Sequence, residues 1–126
     1  AQKINELGPL GFEEYCRERI KKLGYEVKTC QNYDGGIDIR AMKVLDNLDT
    51  EYLIVQCKHW KKPIPPNEMR AFKTACDEEH SDYKKVKMFI TSSRFSPSAK
   101  ELANKHNIIM IDGDDLISRK ENNEKK

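Results

Sequence analysis

Two stretches decide how this chain folds: Asp34-Gly35-Gly36-Ile37-Asp38-Ile39 and Tyr52-Leu53-Ile54-Val55-Gln56-Cys57-Lys58. The first is a Gly-rich turn signal at 33–36 that runs into a strand from Ile37 to Val44. The second is dense in β-formers and reads as a central strand. Asp38 stands between Ile37 and Ile39, so strand alternation predicts its side chain on the face opposite to theirs. Gln56 and Lys58 are two apart and share a face. If these strands pair, a carboxylate, an amide oxygen and an ammonium converge at one end of a sheet.

Working outward, Pro9 to Leu23 reads as a helix. Leu10, Phe12, Tyr15, Cys16, Arg19, Ile20 and Leu23 recur at helical spacing, and Gly24 is a stop. Glu13 and Glu14 are expected in its first turn, favourable at the positive end of the dipole. Tyr25 to Cys30 alternates like a strand, and Asp46 to Thr50 is a polar loop. Pro63, Pro65 and Pro66 break the chain before a helix over Asn67 to His80, with Met69, Phe72, Ala75 and Cys76 inward. Val86 to Thr91 is a buried-type strand. Ser96 and Pro97 open a helix running to about His106, Ile108 to Ile111 is a short strand, and Gly113 to Ile117 is a final turn or short helix. The order is α-β-β-β-α-β-α-β. It predicts an α/β fold: a mixed central sheet flanked by helices on both faces, antiparallel in its first half and parallel through the later helices. Residues 1–118 form one domain, and 119–126 a charged, frayed tail.

The chain has 126 residues and a formal charge of +2, with 37% hydrophobic and 35% charged residues. One core fits that length and two do not. So mild a balance neither demands nor excludes a polyanionic partner, and the placement of charge decides. The cysteines at 16, 30, 57 and 76 show no CxxC or CxxH pairing, so they read as reduced thiols of an intracellular compartment, not a zinc site. No stretch approaches the ~20 apolar residues of a membrane span, and the start lacks a signal-peptide layout.

The set suits phosphodiester hydrolysis. Asp38 and the carbonyl oxygen of Gln56 can hold a hard divalent cation such as Mg²⁺ or Mn²⁺, with the backbone carbonyl of Cys57 as a further donor. Lys58 can orient water or stabilise negative charge in the transition state. A Gln in place of a second acid makes the site less anionic, and Glu13 or Glu14 from the first helix is the candidate to compensate, Glu13 following the apolar Phe12 directly. On spacing alone the signal is weak, and a strand with a polar solvent face is the better reading of it.

The surrounding sequence resembles the catalytic domain of Mrr-type restriction endonucleases, a branch of the PD-(D/E)xK nucleases. Gly11-Phe12-Glu13 with Leu23-Gly24-Tyr25-Glu26-Val27, then Asp34-Gly35-Gly36-Ile37-Asp38-Ile39, then Ile54-Val55-Gln56-Cys57-Lys58 occur in the family's order. Phe89-Ile90-Thr91-Ser92 with Phe95-Ser96 and Ala99, and Ile111-Asp112-Gly113 with Leu116, follow. The match covers Gly11 to Leu116. The resemblance implies a restriction-endonuclease-like fold, a Mg²⁺-dependent endonuclease acting on DNA, Asp38, Gln56 and Lys58 as catalytic positions, and Glu13 as the first-helix acid. Gln is normal at this position in the branch. Family members often recognise modified bases through a separate domain, so target selectivity is expected in a further domain or a partner.

Other residues carry weaker signals. His59, Trp60, Lys61 and Lys62 interleave basic groups with an aromatic, which suits phosphates and base stacking or a solvated loop. His59 reads as structural. Thr91 contacts phosphate or caps its strand, and Ser92, Ser93 and Arg94 could add a phosphate contact. Asp34 reads as a turn residue, Glu68 and Arg70 as surface, and Asp112, Asp114 and Asp115 as a helix start. A junction-resolving nuclease and a non-catalytic DNA-binding module are the alternatives. Paired cuts on two strands make a homodimer plausible.

Overall fold

The computed structural model describes residues 4, 6–28 and 36–118. The expected strand end at Cys30, the turn with Asp34, and the tail at 119–126 lie outside them. Helix α1 (Pro9–Lys22) is followed by β1 (Glu26–Lys28), β2 (Ile39–Val44) and β3 (Thr50–Lys58). Then come α2 (Pro66–Glu78), β4 (Lys84–Thr91), α3 (Pro97–Lys105) and β5 (Ile108–Ile111), and residues 113–118 close with a helical turn. The strands form one five-stranded sheet in the order β1-β2-β3-β4-β5. β1, β2 and β3 pair antiparallel, and β4 and β5 add in parallel. The mixed sheet with helices on both faces is thus present.

β3 is the seam between the two halves. Leu53, Ile54, Val55 and Gln56 are all buried, because helices cover both faces and leave neither side to water. Leu53 and Val55 pack with Ile39, Ala41 and Ile90 under Phe12, Cys16 and Ile20, the buried stripe of α1, and Leu116 joins this layer. Ile54 and Phe89 pack on the other face, under Met69, Phe72 and Cys76 of α2 and Ala99 and Ala103 of α3. Phe89 stands edge-on between Phe72 and Phe95, with ring centroids 5.5 Å away on each side. Truncating it would cost about 3–5 kcal/mol.

Local chemistry fixes the ends. Ser96 caps α3 by accepting the N–H of Ala99 at 3.1 Å. Asp112 and Asp115 cap the closing turn reciprocally: each side chain accepts the other's backbone N–H, at 2.8 and 3.1 Å. Lys85 donates to the carbonyls of Cys76 and Glu79 at the end of α2, and Lys87 to that of His106 just after α3. These lysines satisfy helix C-termini, the groups such ends leave bare. α1 begins at Pro9 with no acidic residue in its first turn, so Glu13 lies one turn further in than expected and gains little from the dipole. Among the described residues no helix is long and apolar enough to cross a membrane.

Candidate active site

The β2–β3 ladder ends at the pair Ile39–Val55, and that register sets Asp38 alongside Gln56. Gly36 takes φ +105°, a backbone state open to glycine, and a Cβ there would come within 3.2 Å of Ala75 Cβ. Regular strand alternation starts only at Ile39, where β2 begins. Ile37 joins the core under α2, while Ile39 joins the core under α1. The expectation that Asp38 points away from both isoleucines is therefore corrected: it sits just before the strand and turns along its end. Its backbone N–H donates to Val55 at 2.8 Å. Its Oδ2 accepts the Cys57 N–H at 2.8 Å. Cys57 lies past the last β2 pair, so a carboxylate replaces the missing strand carbonyl.

Burial pushes the Asp38 carboxyl above its ordinary value. The Cys57 N–H, Lys58 and Arg17 pull it down, and the charge of Glu13 adds to the rise. Glu13 itself accepts from Arg17 at 2.6 Å. It thus faces Asp38 from α1 while held by a cation of its own helix.

Gln56 is 7% exposed. Its neighbours Val55 and Cys57 pack toward α1, so its side chain lies on the α2 side. No side-chain hydrogen bond reaches its amide among the described residues. A buried amide without partners costs about 1–3 kcal/mol, a cost that persists where the group serves something else. Lys58, two residues on, lies on the same side. Its Nζ is 3.4 Å from Glu68 Oε1 and 5.6 Å from the centre of the Trp60 ring.

Among the described residues no three His, Cys, Asp or Glu side chains gather to hold a metal ion. The donors available here are of another kind: one carboxylate, one amide oxygen, and the Cys57 carbonyl, which leaves its strand on the same side as the N–H bound to Asp38. All are hard oxygens, and Mg²⁺ or Mn²⁺ fits such a partial shell because it keeps several waters and takes phosphate oxygens. The Cys57 thiol does not belong to the set. Its contact with the Cys16 thiol, and burial, hold it well above its ordinary range.

The other sequence candidates divide into two groups. Lys61, Lys62 and Arg94 are exposed beside the site, on two loops joined where Ile64 pairs with Phe95. His59 and Thr91 are engaged internally. The His59 ring stacks on Phe12 at 5.0 Å, and its Nδ1 meets Ser92 Oγ at 2.8 Å. Thr91 is fully buried; its hydroxyl donates to the Lys58 carbonyl at 2.9 Å, which removes it from any contact with an external phosphate. Ser92 and Ser93 donate to the carbonyls of Trp60 and Lys62 at 3.3 and 2.8 Å. Three successive hydroxyls thus hold alternate carbonyls of 58–62. Trp60 is half-buried against the second core, with the ammoniums of Lys58 and Lys62 at 5.6 and 5.0 Å from its ring centre. It binds its own lysines.

Sequence reading placed Glu68 on the surface and missed its contact with Lys58. Nothing in the local pattern distinguishes that glutamate; only the packing of α2 on the sheet brings it in.

The chain matches the restriction endonuclease family Mrr_cat over residues 4–119. Among solved structures it is similar to the DNA modification-dependent restriction endonuclease AspBHI, with 14% identity and a TM-score of 0.67 over 92% of this chain and 33% of that one. It is also similar to the MspJI restriction endonuclease in complex with a 27-mer oligonucleotide, with 16% identity and a TM-score of 0.60 over 82% and 25%. A repair endonuclease from Pyrococcus abyssi aligns with 11% identity and a TM-score of 0.57 over 78% and 42%. At such identities the likeness carries the fold alone. The chain spans between 25% and 42% of those proteins' lengths. No curated protein matches it in sequence.

Proposed function

The chain belongs to the Mrr_cat family of restriction endonucleases, and on that premise we propose that it is a Mg²⁺- or Mn²⁺-dependent endonuclease that hydrolyses DNA phosphodiester bonds. The observation that carries this reading is the β2–β3 register, which sets the desolvated carboxylate of Asp38 alongside Gln56, a buried amide with no side-chain partner among the described residues, two positions before the ammonium of Lys58. Asp38, Gln56 and the Cys57 carbonyl would hold the cation. When bound, it activates water and neutralises charge on the scissile phosphate.

The residues of the chain do the rest. Asp38 is fixed by the Cys57 N–H, so one oxygen is committed to the backbone, and the other has no hydrogen-bond partner among the described residues. Lys58 offers an ammonium to a phosphate oxygen as negative charge builds. Glu13 supplies the charge that Gln56 lacks. Lys61, Lys62 and Arg94 meet the DNA backbone, where contacts set register without reading sequence. Residues 1–118 form the catalytic unit, with DNA recognition in a further domain or partner and a homodimer for paired cuts. The free thiols Cys16, Cys57 and Cys76 suit an intracellular compartment.

Supercoiled plasmid incubated with the protein and Mg²⁺ tests this. Nicked or linear product is expected, abolished by EDTA and reduced at least ~100-fold in Lys58→Ala, the loss typical of removing one transition-state donor. Cutting that survives both treatments would belong to a contaminant. DNA binding without cleavage under any divalent cation would make the chain a binding module. Methylated plasmid and a four-way junction, run in parallel, separate a modification-directed enzyme from a junction-resolving one.

A further inference from the structure

We infer that Glu68 is the positioning residue for Lys58, supplying from α2 the counter-charge that the strand itself does not carry. This rests on the reading of Lys58 as part of the active site. Gln56 is the same-face neighbour of Lys58 on β3, and its neutral amide cannot pair an ammonium as a carboxylate would. Among the described residues the carboxylate that reaches Lys58 comes from the helix instead: Glu68 Oε1 lies 3.4 Å from Nζ, with the two side chains 28% and 27% exposed.

Glu68 stands on a rigid support. Pro65 and Pro66 open α2 at its N-cap and first position, where a fixed φ favours the helix. The Glu68 N–H donates to the Pro65 carbonyl at 3.2 Å. Its neighbour Met69 is fully buried, as is Phe72 one turn on, so α2 cannot shift without opening the core. The Trp60 ring borders the same ammonium. A lysine side chain has about 2 kcal/mol of rotamer entropy to lose, and a carboxylate on one side with a π face on another restricts it before DNA arrives. Preorganisation of this kind raises turnover without new contacts to substrate.

The experiment compares the full chain with Glu68→Gln, Glu68→Asp and Lys58→Ala on supercoiled plasmid, titrating both plasmid and Mg²⁺. Glu68→Gln should lower kcat about ten-fold, equivalent to ~1.4 kcal/mol, with KM for plasmid and the Mg²⁺ half-saturation unchanged. Glu68→Asp should recover most of the loss, since charge and not shape is at issue. An unchanged or raised kcat in Glu68→Gln would overturn the inference, the latter by making Glu68 a restraint. So would a displaced Mg²⁺ half-saturation, which would make it a metal ligand, or a loss that Glu68→Asp leaves in place. If Lys58→Ala cuts normally, the failure lies in the active-site reading and not in the Glu68 contact.

Discussion

The β2–β3 pair carries two polar clusters of opposite character. In the middle of the ladder, Arg40 grips Glu79 with two bonds of 2.9 Å, and the Tyr52 hydroxyl adds a third at 2.8 Å. Those donors hold the Glu79 carboxyl down to about 2, and burial with the Glu79 contact pushes Tyr52 up to about 12. At the strand end, Asp38 has a single donor among the described residues, the Cys57 N–H, with a like charge nearby from Glu13 and a carboxyl moved up, not down. Gln56 beside it has no side-chain partner among the described residues. The same two strands thus hold one acid that is fully satisfied and another that is kept short of partners. Satisfied groups contribute to stability. Deprived ones are candidates for completion by another molecule, as the proposed function requires of Asp38 and Gln56.

Four substitutions can break or sharpen that contrast. The largest effect belongs to Asp38→Asn. It should reduce plasmid cleavage by at least ~100-fold, yet leave the melting temperature level or raised at neutral pH. The amide still accepts the Cys57 N–H, and an anion that burial disfavours is gone. A marked fall in melting temperature would put Asp38 in the same class as Glu79.

Glu79→Gln should do the reverse, costing about 1–3 kcal/mol in denaturant titration with kcat per folded molecule unchanged. The pH dependence has a definite sign. The folded-state value of Glu79 is depressed from 4.5 to about 2, so its contribution is whole above 4.5 and fades as pH falls toward 2. The gap in stability between parent and Glu79→Gln should therefore close across that window. A gap that stays constant would mean the pair contributes through packing alone.

The smallest effect is expected from the exposed cations. Lys62→Ala and Arg94→Ala should each weaken DNA binding modestly and reduce the slope of log affinity against log salt by about one. Fluorescence anisotropy at several salt concentrations measures it. An unaltered slope would remove these loops from the interface.

Much of the architecture was legible because it is written in local pattern. The apolar run of β3 announces a strand buried on both faces, and the helices after it force parallel additions. The pairing of Asp38 with the Gln56–Lys58 strand followed from the same reasoning. What stayed hidden depends on contacts across the fold. Ile37 and Ile39 look like one strand face, but β2 begins only at Ile39, and the two side chains fall into different cores. Trp60 reads equally as a stacking platform or as part of a solvated loop, and the pattern does not show that two of its own lysines border its ring. Thr91 reads equally as a phosphate contact or a cap, and only its complete burial decides. Glu68 has no local signature, since helix packing alone delivers it to Lys58.

The grip of Thr91, Ser92 and Ser93 on the peptide carbonyls of 58, 60 and 62 has an evolutionary corollary. A hold on main-chain oxygens is indifferent to what the outward side chains are. Lys61 and Lys62 could be exchanged for other residues while the path of the segment stayed fixed. A surface of this kind can be rewritten by substitution without moving the backbone beside Lys58.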